Sequence, residues 1–180
     1  MERKQIARTV LVALFAALVA AGAFIKIPFV PVPITLQTLF ALLAAACLPP
    51  SMAVSSIVIY IFLGAIGLPI LTAGGGLAAV LGPTGGYLFG MIPGVLAGSA
   101  LAKFLGSRIR LASLLSAIAV TIFIYLIGLP WLSWQMDLSF ASVLAAGLVP
   151  FIPGDLLKII VVFFIAPVIQ PRVKELLEKE

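Results

Sequence analysis

Asp155 and Lys158 lie three residues apart inside PFIPGDLLKIIVVFFIAPVI, in a chain that is 63% hydrophobic and 9% charged. A charge held near the middle of a bilayer costs about 2.5 to 3.5 kcal/mol on insertion scales, so such residues face a polar interior, pair with each other or meet a ligand. On a helix this spacing sets both side chains on one face, about one turn apart. The chemistry on offer is recognition: a carboxylate accepting N–H donors, and an ammonium meeting a carbonyl or carboxylate. An ion pair that only orients its helix is the plain alternative, although burying such a pair for structure alone is seldom stabilising.

Two further segments carry polar or conformationally special residues. In Pro31-Val32-Pro33-Ile34-Thr35-Leu36-Gln37-Thr38 the prolines hold the chain extended, Thr35 is placed to cap the next helix, and Gln37 falls in its first turn. Gln37 offers both a donor and an acceptor. The third segment, Gly74-Gly75-Gly76 followed by Gly82-Pro83-Thr84-Gly85-Gly86-Tyr87, lacks the lysine and hydroxyl of a phosphate loop and fits no dinucleotide fingerprint. Glycine here serves unusual dihedrals and close backbone approach, either to a ligand or within a tightly packed loop.

The elements that must position these residues are membrane helices. A mean hydropathy of +1.31 over 180 residues excludes a water-soluble domain, and helix-length runs of Leu, Ala, Ile and Val argue for a helical bundle over a barrel. At about 20 residues per span, the apolar runs predict six helices, at about 6–26, 35–48, 51–66, 86–104, 111–129 and 142–169. All lie in one integral membrane domain covering 1–180. Pro150, Pro153 and Gly154 predict a break in the sixth helix, with Pro153 near the start of its second half. Nine of the eleven basic residues, Arg3, Lys4, Arg8, Lys103, Arg108, Arg110, Arg172, Lys174 and Lys179, then share one side. By the positive-inside rule that side, with both termini, is cytoplasmic. Lys26 is left outside and Lys158 within the membrane.

The outer face receives segments 27–34, 67–85 and 130–141. The second, nearly uncharged and glycine-rich, is expected to fold back over the bundle as a lid or re-entrant segment, since irregular backbone is tolerated at membrane depth only where protein buries it. Trp131 and Trp134 read as interfacial anchors. In helix 1, Ala13, Ala17 and Ala21 recur every fourth residue beside a second stripe of Ala16 and Ala20, a spacing that allows close helix approach in lipid. The stripes serve either packing within the bundle or docking of another membrane subunit.

Several functions are excluded or disfavoured. With a lone cysteine, Cys47, and no histidine, disulfide frameworks and the usual zinc and haem ligand sets are missing. The +5 charge follows topology and forms no single patch of the kind that binds nucleic acid. An intramembrane enzyme would need a nucleophile and base or a metal cluster, and one Asp with one Lys is a poor set. An autonomous secondary transporter of a small solute is the main alternative to a binding subunit. It would ordinarily show internal repeats and midplane ion sites.

Three motifs together, PVPITLQT at 31–38, GPTGGY at 82–87 and PFIPGDLLK at 150–158, resemble the BioY family, the biotin-specific substrate-binding (S) component of energy-coupling-factor (ECF) transporters. The resemblance runs in order across essentially the whole chain. It implies a six-helix, multi-pass protein of a prokaryotic plasma membrane that is not an enzyme and binds biotin with high affinity from outside. Its implied partners are a membrane coupling subunit and two ATP-binding subunits, with small residues of helix 1 in the coupling surface. Asp155 and Lys158 match the family's aspartate and lysine at the ligand head group, while Gln37, Thr35, Thr84 and Tyr87 fall in its other signature segments. The ureido ring of biotin offers two N–H donors and one carbonyl, which an Asp and a Lys or Gln satisfy together. Its apolar parts suit a wall for which Phe29, Leu77 and Tyr87 are the candidates. For the ligand carboxylate, the backbone N–H groups of 74–76 (Gly75 and Gly76 among them) and Lys158 are both open.

Overall fold

A computed structural model describes residues 2–106 and 109–178; Arg108 and Lys179, two of the basic residues sorted by topology above, lie outside the described residues. The element order is α1 (Glu2–Phe24), β1 (Lys26–Ile27), β2 (Ile34–Thr35), α2 (Gln37–Cys47), α3 (Pro50–Ala65), α4 (Leu77–Val80), α5 (Gly85–Leu105), α6 (Ile109–Met136), α7 (Phe140–Gly147), a 3-10 turn (Val149–Phe151) and α8 (Ile152–Glu178). Four stretches are long and apolar enough to cross a membrane: 2–24, 85–105, 109–136, and the interrupted 140–178. Helices α2 and α3 are apolar but shorter. Large apolar side chains such as Ile122, Leu126, Phe164 and Val168 point outward, the arrangement expected where the solvent is lipid and the polar backbone is satisfied within each helix.

Helix α2 is the centre of the bundle. Ala41 through Cys47 are all buried, and the helix packs against α1, α3, α5, α6 and α8. A run of alanines is what lets five neighbours approach one helix. Helices α5 and α6 form the tightest pair, and glycine is the cause: Gly86, Gly90, Gly94 and Gly98 recur every fourth residue along the α5 face that meets α6. A Cβ on Gly90 would lie 2.8 Å from Ile124 Cα, and one on Gly98 would lie 2.7 Å from Val120 Cγ2. Only a missing side chain allows that approach.

Several boundaries differ from the sequence expectation. The sixth helix does break where the prolines predict, with Pro150 in the 3-10 turn and α8 starting at Ile152, so that Pro153 and Asp155 occupy its first turn. The fifth helix does not stop at residue 129: α6 continues through Pro130 to Met136. Trp131, expected as an interfacial anchor, is half-buried, and its Nε1 donates to Gly82 O at 2.9 Å. Trp134 is exposed. α8 likewise runs past Pro167 and Pro171 to Glu178.

The segments expected on the outer face are folded. β1 and β2 pair antiparallel, Lys26 with Thr35 and Ile27 with Ile34. The glycine-rich stretch contains a bridge between Leu71 and Gly74 and the single turn α4, which starts after Gly76 at φ +91°, a dihedral that glycine adopts without steric cost. This stretch is tied down from several directions. Tyr60 Oη donates to Ile70 O at 3.2 Å, Lys26 Nζ to Thr72 O at 3.0 Å, and Gln135 Nε2 to Leu81 O at 2.7 Å.

Candidate functional site

Asp155 enters the bundle in the first turn of α8, and Lys158 follows one turn later on the same face. Lys158 Nζ lies 3.1 Å from Asp155 Oδ1, with side-chain exposures of 7% and 13%. The pair is not isolated. Lys158 Nζ also donates to Thr38 Oγ1 at 2.8 Å, linking α8 to the first turn of α2. Tyr125 Oη, from α6, donates to Asp155 Oδ2. Each carboxylate oxygen thus carries one protein donor and retains acceptor capacity.

Gln37 lines the same space. It is 3% exposed; its Oε1 accepts from Thr72 Oγ1 at 3.4 Å, while its Nε2 is buried without a hydrogen-bond partner. A buried amide N–H with no acceptor costs about 1–3 kcal/mol, and the group lines a cavity where a ligand acceptor would satisfy it. Thr35 lies in β2, and its hydroxyl accepts from Gln37 N at 3.3 Å. It supports the start of α2 from one residue before the boundary Leu36.

These groups surround one cavity of about 60 Å³. Its polar wall holds Asp155, Lys158, Gln37, Thr38, Thr35, Thr72, Thr84 and Thr121; its apolar wall holds Val32, Pro33, Leu88, Met91, Ile124 and Phe151, with Tyr87 and Tyr125 between. The two tyrosines meet edge to face at 6.1 Å, and Tyr87 Oη donates to Gly147 O at 3.0 Å, fixing the end of α7. A carboxylate and an ammonium in a pocket that also has an apolar wall suit a small molecule carrying N–H donors and a carbonyl on an apolar frame. No group of three or more metal-ligating side chains occurs among the described residues.

Six residues expected at the site from sequence, Asp155, Lys158, Gln37, Thr35, Thr84 and Tyr87, line this cavity; four do not. Phe29 is 40% exposed and stacks edge to face on Phe151, which takes the wall position itself. Leu77 is 66% exposed at the start of α4. Gly75 and Gly76 lie outside the lining, because their stretch turns back on α3: Gly76 N donates to Gly64 O at 2.7 Å, and a side chain on Gly75 would strike the carbonyls of Gly67 and Leu68. The glycine-rich stretch reaches the cavity through Thr72 and Thr84. Thr38 sits inside a motif already marked by its proline pair and glutamine, but Tyr125, midway along an apolar helix, has no local signal. The α1 stripes separate. Ala13, Ala17 and Ala21 face outward, whereas Ala16 is buried and Ala20 half-buried.

Comparison with known proteins agrees with this architecture. The model of the BioY family matches residues 1–175. The chain is 40% identical over 162 residues to the probable biotin transporter BioY of Pyrococcus horikoshii, covering 89% of this chain and 94% of the relative. It is 37% identical to the biotin transporter BioY of Thermotoga maritima, covering 85% and 89%. Its fold matches the crystal structure of the S-component for biotin from an ECF-type ABC transporter with a TM-score of 0.83, at 32% identity and 92% coverage of each chain.

Proposed function

The chain belongs to the BioY family, and from that premise we propose that it is the biotin-binding S component of an ECF transporter, with Asp155 and Lys158 as the clamp for the ureido ring. The observation that carries the site assignment is the buried pair itself, which has spare acceptor capacity on Asp155 and shares its cavity with the unpartnered Nε2 of Gln37. The two ureido N–H groups go to Asp155, and the ureido oxygen takes donors from Lys158 and Gln37. The thiophane ring and chain lie along Met91, Ile124 and Phe151.

In this reading six spans cross a plasma membrane. They are α1, α2, α3, α5, α6 and the broken α7–α8 unit, and both termini are cytoplasmic. The basic residues at the chain ends and between α5 and α6 support that orientation. The chain has no nucleotide-binding motif, so uphill uptake draws on a membrane coupling subunit and two ATP-binding subunits. The outward stripe Ala13, Ala17 and Ala21 is the docking surface, because an exposed row of small residues on a lipid-facing helix suits close approach by another helix.

Titration of the purified protein with biotin, and with an analogue lacking one ureido N–H, tests the clamp. Tight binding of biotin with a loss of at least about tenfold for the analogue, the worth of one hydrogen bond to a charged group, is expected; equal binding of the two refutes it. ATP-dependent uptake only when the ATPase subunits are co-expressed tests the partnership.

A further inference from the structure

A second cavity, about 290 Å³, lies directly outside the first and shares Pro33, Thr72 and Thr84 with it. It is built from the segments around Pro31 and Pro33 and from Thr72 to Thr84, α4 included, and none of its lining residues is charged. A ligand whose polar ring sits at Asp155 therefore extends its other end between these segments. For biotin that end is a carboxylate. It is repelled by Asp155, and the ammonium of Lys158 is already held by Asp155 and Thr38. The glycine stretch is a poor substitute, since Gly74 N donates to Leu71 O and Gly76 N to Gly64 O.

Among the described residues, one cation, Lys26, remains beside the segments expected on the outer face. Lys26 pairs in the β1–β2 ladder with Thr35, a lining residue of the inner cavity. Its Nζ reaches across to Thr72 O at 3.0 Å, and Thr72 lines both cavities. An ammonium has three donors, and this contact uses one. We propose that Lys26 is the partner of the ligand carboxylate, giving the site its preference for a free acid over a neutral derivative. The proposal rests on biotin being the ligand.

The test measures binding of biotin and of biotinamide, in which the carboxylate is a neutral carboxamide, to the detergent-purified full chain and to its Lys26→Gln and Lys26→Arg variants. The wild type should prefer biotin by about five- to tenfold at low ionic strength, the range expected of an exposed charge contact strengthened by hydrogen bonding. That preference should shrink in 1 M salt, where the Debye length is about 3 Å. Lys26→Gln should abolish it by weakening biotin alone, and Lys26→Arg should keep it. Equal affinity of the wild type for both ligands overturns the assignment. So does a Lys26→Gln variant that retains the preference, or one that weakens both ligands equally, which would reduce Lys26 to a tie on Thr72. Failure of the wild type to bind either ligand overturns the biotin reading, and this inference with it.

Discussion

Replacing Asp155 by Asn separates a ligand clamp from a structural ion pair, provided that the partner is also varied. Asparagine keeps the side chain's shape and an acceptor for Lys158 Nζ, now 3.1 Å from Oδ1, but it removes the countercharge from an ammonium only 7% exposed. Breaking a buried pair costs about 3–5 kcal/mol when one charge is left uncompensated. The hydroxyl of Thr38 at 2.8 Å still solvates the ammonium, so the stability loss falls below that range. Binding is affected differently. A hydrogen bond to a charged group contributes about 1.5–3 kcal/mol, so losing the charge beneath the ureido N–H groups should raise Kd about 10- to 150-fold.

The decisive comparison adds Lys158→Met and the double variant Asp155→Asn/Lys158→Met. Removing both charges from a buried pair is often neutral for stability, so the double variant should recover most of the melting temperature that either single variant loses. Its affinity should stay low. Calorimetric titration with biotin in detergent, beside thermal unfolding of the same samples, reads both quantities. A double variant that binds as tightly as the wild type would refute the clamp and leave the pair as scaffolding for α8.

Other substitutions test the surrounding geometry. Tyr125→Phe deletes the hydroxyl on Asp155 Oδ2 while keeping the ring against Tyr87; losing this internal hydrogen bond to a charged group should cost about 1.5–3 kcal/mol of stability, read by thermal unfolding, with a smaller loss of biotin affinity than Asp155→Asn gives. Ala17→Leu, on the outward stripe, should leave biotin binding intact but reduce uptake by the assembled transporter, whereas the buried Ala16→Leu should destabilise the protein itself by about 1–3 kcal/mol through overpacking. Gly90→Leu drives a side chain into the Ile124 backbone. It should lower thermal stability as much as or more than Ala16→Leu, read by size exclusion and unfolding in detergent.

The ion pair was legible in the sequence because cost reveals it: two charges in an apolar run stand out whatever their neighbours are. Gln37 was legible for a related reason, since its amide follows a proline-held entry into a helix. Glycine was less informative about location. A triple glycine says that the backbone adopts conformations closed to other residues, as Gly74 and Gly76 do at positive φ, but not which way the loop then turns. Here it turns toward α3, so Gly75 and Gly76 miss the cavity that their neighbour Thr72 reaches. Leu77 and Phe29 lie outside the cavity lining for a related reason. Irregular segments have no period from which a face can be read, whereas Met91 and Ile124 lie on helices whose inward faces are set by packing.

Tyr125 marks the limit of local reasoning. Its residue type is ordinary in an apolar helix, and its importance arises only because α6 crosses beside the first turn of α8 and sets the phenol against Asp155 Oδ2. That crossing depends in turn on the α5 glycine row, which draws α6 close and seats Tyr87 and Tyr125 edge to face. A row of glycines at every fourth position is visible in a sequence; the helix that it meets, and the side chain which that meeting delivers to a site, are not. The polar pole of this cavity is therefore specified twice. Residues of α8 announce it through their charge, and residues of α5 and α6 hold it in place through the absence of side chains between them.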